Sequence, residues 1–158
     1  MSMHYENIDT ALIDAEALPW HPFLPYATDV FIKVLKVDPV RGEWITLLKA
    51  PADVKLPKHH HSGTVMVYTI SGQWRYLEHD WVAGPGSFVY ETAGTQHTPA
   101  GDSKGEVITL NIVQGDWSLI GPEGQVLAIE NWKTVVKRYL DHCASANIKP
   151  VDVTSFSV

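Results

Sequence analysis

The sequence predicts an all-β protein of one domain, a barrel or sandwich over residues 28–128, preceded by an extended arm (1–27) and followed by a helix with its tail (129–158). Two observations carry the β assignment. Short segments rich in Val, Ile, Thr, Tyr and Trp succeed one another from Asp29: VFIKVLKV, EWITLLKA, VMVYTIS, QWRYLEHD, SFVYE and VITLNIVQG. Turn sequences (DPVRG, SGQ, AGPGS, GPEGQ) punctuate them with no helical period in between, which favours antiparallel pairing over a parallel sheet. A third observation, the length of 158 residues, allows one full core and not two domains of usual size.

In the arm, prolines at 19, 22 and 25 alternate with Trp20, Phe23 and Tyr26. Proline keeps this segment out of a central sheet, while the aromatics suit a cover over core surface or, alternatively, a contact between subunits. At the other end Asn131 is placed to cap WKTVVKRYLDHCASA, in which Val135, Tyr139, Leu140 and Cys143 share a helical spacing. That helix reads as a cover for the barrel and holds no catalytic pattern.

Composition narrows the function classes. A formal charge of −6 with only scattered basic residues argues against a phosphate-binding stripe and therefore against nucleic acid. No segment approaches the roughly 20 apolar residues of a membrane span, and the first twenty residues lack a secretory pattern, so the expectation is a cytoplasmic protein without a membrane partner. Cys143 is the sole cysteine, which rules out an internal disulfide and a metal site built on several thiolates.

The chemistry concentrates on histidine. His59 and His61 fall on one face of a strand, with His60 on the other. His97 follows the strand SFVYE and a turn containing Gly94, so a third imidazole can arrive from another strand and complete a three-nitrogen metal site. The remaining histidines His4, His21, His79 and His142 read as ordinary core or surface residues whose hydrogen bonds are satisfied.

In HHHSGTVMVYTISG and GSFVYETAGTQH the sequence resembles the cupin superfamily, a double-stranded β-helix or jelly-roll barrel. His59, His61 and Gly72 stand on the first cupin motif, and Gly86, Gly94 and His97 on the second. Val65 stands where that motif carries a glutamate ligand, Thr92 replaces its proline, and no asparagine stands four residues after His97. Three neutral imidazoles without the carboxylate leave a divalent charge uncompensated, which favours an anionic chelating substrate.

A longer signature, DPVRGEWITLLKAPA through VLAIENWKTVVKRYL, resembles the 2,4′-dihydroxyacetophenone dioxygenase family and the related acetylacetone dioxygenases. The resemblance implies non-haem Fe(II) on His59, His61 and His97, cleavage of a C–C bond beside a carbonyl with O2, and a homodimer or homotetramer. It also implies that Glu91 supports metal binding and substrate orientation. From strand parity alone Glu91 can equally face outward. Arg75 is expected to pair with Glu91 if their strands are neighbours. Val65, Val67 and Thr69 are expected on the pocket wall, with Met66 and Tyr68 outside and Trp74, Tyr76 and Tyr90 as further lining. Zinc or nickel can replace iron in recombinant protein. A zinc-type hydrolase or isomerase and a non-catalytic sensing cupin akin to anti-sigma factor domains are the competing readings.

Overall fold

The computed structural model describes residues 10–155; His4 lies outside them. A short 3-10 turn (Ala15–Ala17) leads into β1 (His21–Pro22), β2 (Phe31–Asp38), β3 (Glu43–Ala50), β4 (His59–His61), β5 (Val65–Ser71), β6 (Trp74–Tyr76) and β7 (Phe88–Glu91). There follow β8 (Gln96–His97), β9 (Pro99–Gly101), β10 (Val107–Gln114), β11 (Trp117–Ile120), β12 (Val126–Glu130) and α1 (Trp132–Ser145). A six-stranded sheet runs β1-β2-β3-β10-β5-β7, a four-stranded sheet β12-β11-β4-β8, and β6 pairs with β9 alone. All named pairings are antiparallel.

Alternation along the strands decides what faces the interior. On β5 Val65, Val67 and Thr69 are buried while Tyr68 is exposed, and the parity continues across the sheet, since Val113 pairs with Val65 and Asn111 with Val67. Of QWRYLEHD only Trp74–Tyr76 is strand, because the chain turns at once, with the His79 amide donating to the Tyr76 carbonyl. The strands WSLI and VLAIE, β11 and β12, lie on either side of the GPEGQ turn and have no clear alternation of their own.

The arm is used as a cover. β1 forms the edge of the large sheet, as a proline strand must. Phe23 is buried, and the Lys33 and Lys49 ammonium groups sit 5.1 and 4.7 Å from the Trp20 ring. A buried carboxylate fastens arm to helix: Glu130 accepts from the Tyr26 hydroxyl at 2.8 Å, the Thr134 hydroxyl at 2.8 Å and the Arg138 guanidinium at 2.6 Å. Arg138 also donates to the Leu24 carbonyl, so the Glu130 charge is met by an opposite charge and by hydrogen bonds to both of its oxygens.

Asn131 caps α1 in a capping box with Thr134, an arrangement whose loss to alanine typically costs about 1 kcal/mol. The buried stripe is Val135, Tyr139 and Cys143 at a strict four-residue interval. Leu140, expected in that stripe, is exposed because it sits one residue, roughly 100°, round the helix from Tyr139. His21 also departs from expectation. It is fully buried beside Tyr139 and His142, and among the described residues neither ring nitrogen has a hydrogen-bond partner.

Candidate metal centre

The register of the four-stranded sheet assembles the histidines. β4 presents His59 and His61 inward, and β8 sets His97 directly opposite His59. Ring centroids lie 4.8 Å apart for His59 and His61, 4.6 Å for His59 and His97, and 5.2 Å for His61 and His97. One nitrogen from each falls within 4.8 Å of the others, so the group can hold a single metal ion. The turn before His97 supports this placement. Gly94 has a φ of +87°, and its amide donates to the His61 carbonyl at 2.8 Å while the His61 amide donates to the Thr95 carbonyl at 3.1 Å. At the motif's closing Gly72, a Cβ would lie 2.5 Å from the Glu106 carbonyl oxygen.

Glu91 faces this group and is buried, with one carboxylate oxygen 3.2 Å from Nε2 of both His61 and His97. Its other oxygen accepts a hydrogen bond from the Tyr76 hydroxyl, and the Tyr76 ring stacks on His97 with centroids 3.9 Å apart. Glu91 is the cross-strand partner of Val65. Position 65 thus stays apolar, while on the adjacent strand a carboxylate outside the three-histidine group stands beside two of the imidazoles, so the expectation that the charge of a metal held there would go uncompensated is corrected.

The remaining expected residues divide cleanly. Val65, Val67, Trp74 and Tyr76 line a cavity of about 120 Å³ together with His59, His61 and Glu91, while His97 is not among its lining residues. Thr69 is buried, but its hydroxyl lies behind that wall, accepting from Trp74 Nε1 at 2.8 Å. Arg75 is exposed, since its strand pairs with β9 rather than β7 and its neighbours Trp74 and Tyr76 take the inward positions. It does not pair with Glu91; Tyr76 does. Tyr90 is 62% exposed because Glu91, the next residue, takes the inward position. Phe23, Trp44 and Trp117 also line the cavity without belonging to any motif. The alternation of EWITLLKA is the sequence signal that points Trp44 inward.

The electrostatics suit a cation. Burial, together with the charges of His61 and His97, holds His59 well below the usual histidine range. Burial brings His61 down to about 4 despite the opposing effect of Glu91. Burial alone would raise the Glu91 carboxyl, but the interactions with His97, His61 and Tyr76 outweigh it and the group ionises more readily than usual. At neutral pH His59 and His61 are thus neutral with lone pairs to offer, and Glu91 is anionic. Among the described residues His61 Nδ1, His97 Nε2 and one oxygen of Glu91 are buried without a hydrogen-bond partner. Polar atoms left so are costly, and a cation held by the histidine group would offset part of that cost.

Fold and site together define a β-barrel protein of the cupin superfamily with a three-histidine group that could hold a metal ion. The chain belongs to the family described as the ChrR cupin-like domain, which it matches over residues 9–116. An RmlC-like cupin from Ralstonia eutropha is 52% identical, with 98% of this chain and 100% of that chain covered and a TM-score of 0.94. A protein of unknown function with a cupin-like fold, also from Ralstonia eutropha, is 24% identical over 91% of this chain and 94% of its own, with a TM-score of 0.77. The acetylacetone dioxygenase of Acinetobacter johnsonii shares the fold at 18% identity, covering 84% of this chain and 91% of its own, with a TM-score of 0.73. Among curated proteins there is no match.

Proposed function

We propose that this protein is an Fe(II)-dependent dioxygenase that cleaves the C–C bond beside a carbonyl in a small hydroxyketone or β-diketone. The observation that carries the reading is the convergence of three buried imidazoles with a buried carboxylate, of which His59, His61 and Glu91 line a mostly apolar cavity. Its volume of about 120 Å³ is close to the ~150 Å³ that accepts a benzene ring in an engineered protein cavity. A diketone or a single ring with a short side chain matches that scale.

Iron(II) on His59, His61 and His97 would supply polarisation of the ketone oxygens and electron transfer to O2. The Nδ1 of His59, 3.1 Å from the Pro57 carbonyl, donates its proton there and leaves Nε2 to ligate. Glu91 is the only carboxylate among the lining residues. It balances charge at the centre and is placed to take the proton that a ketone loses on enolisation, with the Tyr76 hydroxyl holding its other oxygen. Val65, Val67 and Trp74 exclude water from the oxygen chemistry. For a hydroxyketone the sum is one O2 consumed, one C–C bond broken and two carboxylic acids formed, each cleaved carbon gaining one oxygen atom and the substrate giving up four electrons.

The reading extends to O2 and a small ketone as partners, and to a cytoplasmic homodimer or homotetramer. Among the described residues no helix is long and apolar enough to cross a membrane. Anaerobic reconstitution with iron, followed by oxygen-uptake assays on a ketone panel, tests it. Uptake equimolar with ketone is expected with iron and none with zinc. Turnover that persists without O2 would instead support a zinc-type hydrolase or isomerase. The match to the ChrR cupin-like domain favours a sensing module as the second reading, and saturable ligand binding without turnover under any metal or gas condition would establish it.

A further inference from the structure

A second hollow, an open groove of about 620 Å³, lies beside the histidine group. Tyr26 lines it from the arm, Lys55, Leu56 and Pro57 from the segment joining β3 to β4, and Leu119 and Ala128 from β11 and β12. Three of these elements also carry a residue of the inner cavity. On the arm Phe23 lines the cavity and Tyr26 the groove, with ring centroids 5.0 Å apart. On β11 Trp117 lines the cavity opposite His61, and Leu119 lines the groove opposite His59. Leu56 lines both hollows, and the Pro57 carbonyl, at the groove, stands 3.1 Å from His59 Nδ1.

The groove therefore continues the cavity outward along the inner face of the four-stranded sheet, and Leu56 stands on the boundary. The two sides of that boundary are held differently. Tyr26 is fixed, its hydroxyl donating to Glu130 at 2.8 Å and its ring meeting Trp117 edge-on at 5.1 Å. Leu56 is anchored through its backbone, the amide donating to the Pro99 carbonyl at 3.0 Å, while its half-buried side chain can change rotamer without breaking a hydrogen bond. Among the described residues the groove wall carries one charge, the exposed Lys55 ammonium. The nearby Glu130 lies behind Tyr26, with its charge met by Arg138 at 2.6 Å.

We propose that this groove is the entrance to the cavity, that the Leu56 side chain turns aside to admit a ligand, and that Lys55 draws small organic anions to the opening. A hydrocarbon side chain on the boundary sets how fast molecules pass in either direction. A cation at the opening raises the arrival rate of anions over that of neutral molecules of the same size, and salt screens the advantage. The proposal rests on the reading of the cavity as a ligand site and is independent of the metal held there.

The test is alkylation of His59 and His61 in metal-free protein by bromoacetate, an anion, and by bromoacetamide, a neutral molecule of nearly the same size. Peptide mass spectrometry locates each modified histidine. Leu56→Ala is expected to speed modification of both residues by both reagents about tenfold, and Leu56→Trp to slow it by a similar factor. The exposed His79 should react at an unchanged rate in every variant. Lys55→Gln should slow bromoacetate about fivefold, leave bromoacetamide unaffected and remove the salt dependence of the anion's rate. The fully buried His21 serves as a control: if it too reacts faster in Leu56→Ala, the fold has loosened and Leu56→Trp decides. Rates at His59 and His61 indifferent to residue 56, an anion rate indifferent to residue 55, or no modification in any variant overturns the proposal. Since this readout involves neither metal nor oxygen, absent O2 uptake with these rates as expected would defeat only the dioxygenase reading. Uptake with rates indifferent to residue 56 would defeat only this proposal.

Discussion

Among the described residues buried histidines occur in two places, His21 under the helix and the His59, His61 and His97 group, and they differ in what their nitrogens face. His21, under the helix, is fully buried beside Tyr139 and a half-buried His142, and burial brings it down to about 4. His61 is as deeply buried, and burial likewise brings it down to about 4. Yet only His61 belongs to a convergent set with a carboxylate in reach. Burial and a depressed pKa are common to both and so do not mark a site. Convergence of lone pairs and an acid does, because a cation is the one partner that satisfies all of them together.

Substitution at the two places should separate these roles. The largest effect is expected from His61→Ala, which removes a ligand: metal affinity should fall by more than ~100-fold, beyond the usual cost of losing an outer partner. Metal content by mass spectrometry and thermal unfolding of the metal-free protein check this, with the barrel retained. His21→Ala should do the reverse, leaving metal content intact and lowering the melting temperature, and a loss of metal there would collapse the contrast.

Next comes Glu91→Gln, which keeps the shape and removes the charge beside His61 and His97. Metal affinity should drop about 10- to 100-fold by competition titration, and Tyr76→Phe, which keeps the stacking on His97 and removes one hydrogen bond to Glu91, should give a smaller loss. No change for Glu91→Gln would mean that the carboxylate does not serve the centre.

The smallest effect is a slope. The folded pKa of His21 lies at about 4 against an ordinary 6.5, so below pH 6.5 the unfolded chain binds a proton that the folded chain excludes. Stability is therefore lost as pH falls from 6.5 toward 4, at no more than about 1.4 kcal/mol per pH unit. His59 and His61 act in the same direction in metal-free protein, so the difference between wild type and His21→Phe isolates the contribution. Denaturant midpoints measured across that range should diverge steadily, and parallel curves would show that His21 is protonated in the fold.

Much of this was open to sequence reading because strand parity and motif spacing are local. Parity put His59 with His61, and Val65 with Val67, and the second motif brought in His97. Parity does not cross a turn, so the orientation of Glu91 is decided only by the pairing of β5 with β7. Arg75 departs from the expected pairing with Glu91 for the same reason: its strand pairs with β9, and alternation with the inward Trp74 and Tyr76 turns it to solvent. Tyr90 follows from Glu91 by the same rule in reverse. Phe23, Thr46, Asn111 and Trp117 are brought to the cavity from segments far apart in the chain, and only the closed barrel makes them neighbours.

The pairing of Val65 with Glu91 has a stereochemical consequence. With the acid on the edge strand and the valine nearer the middle of the sheet, the centre is ionic on one flank and hydrocarbon on the other. A small molecule whose two carbonyls are identical in solution ceases to be symmetric once it lies between those flanks, one oxygen nearer the carboxylate and one nearer the valine. The protein would then distinguish two chemically equivalent bonds, and isotopic labelling of one half of a symmetric diketone would read the choice in the products.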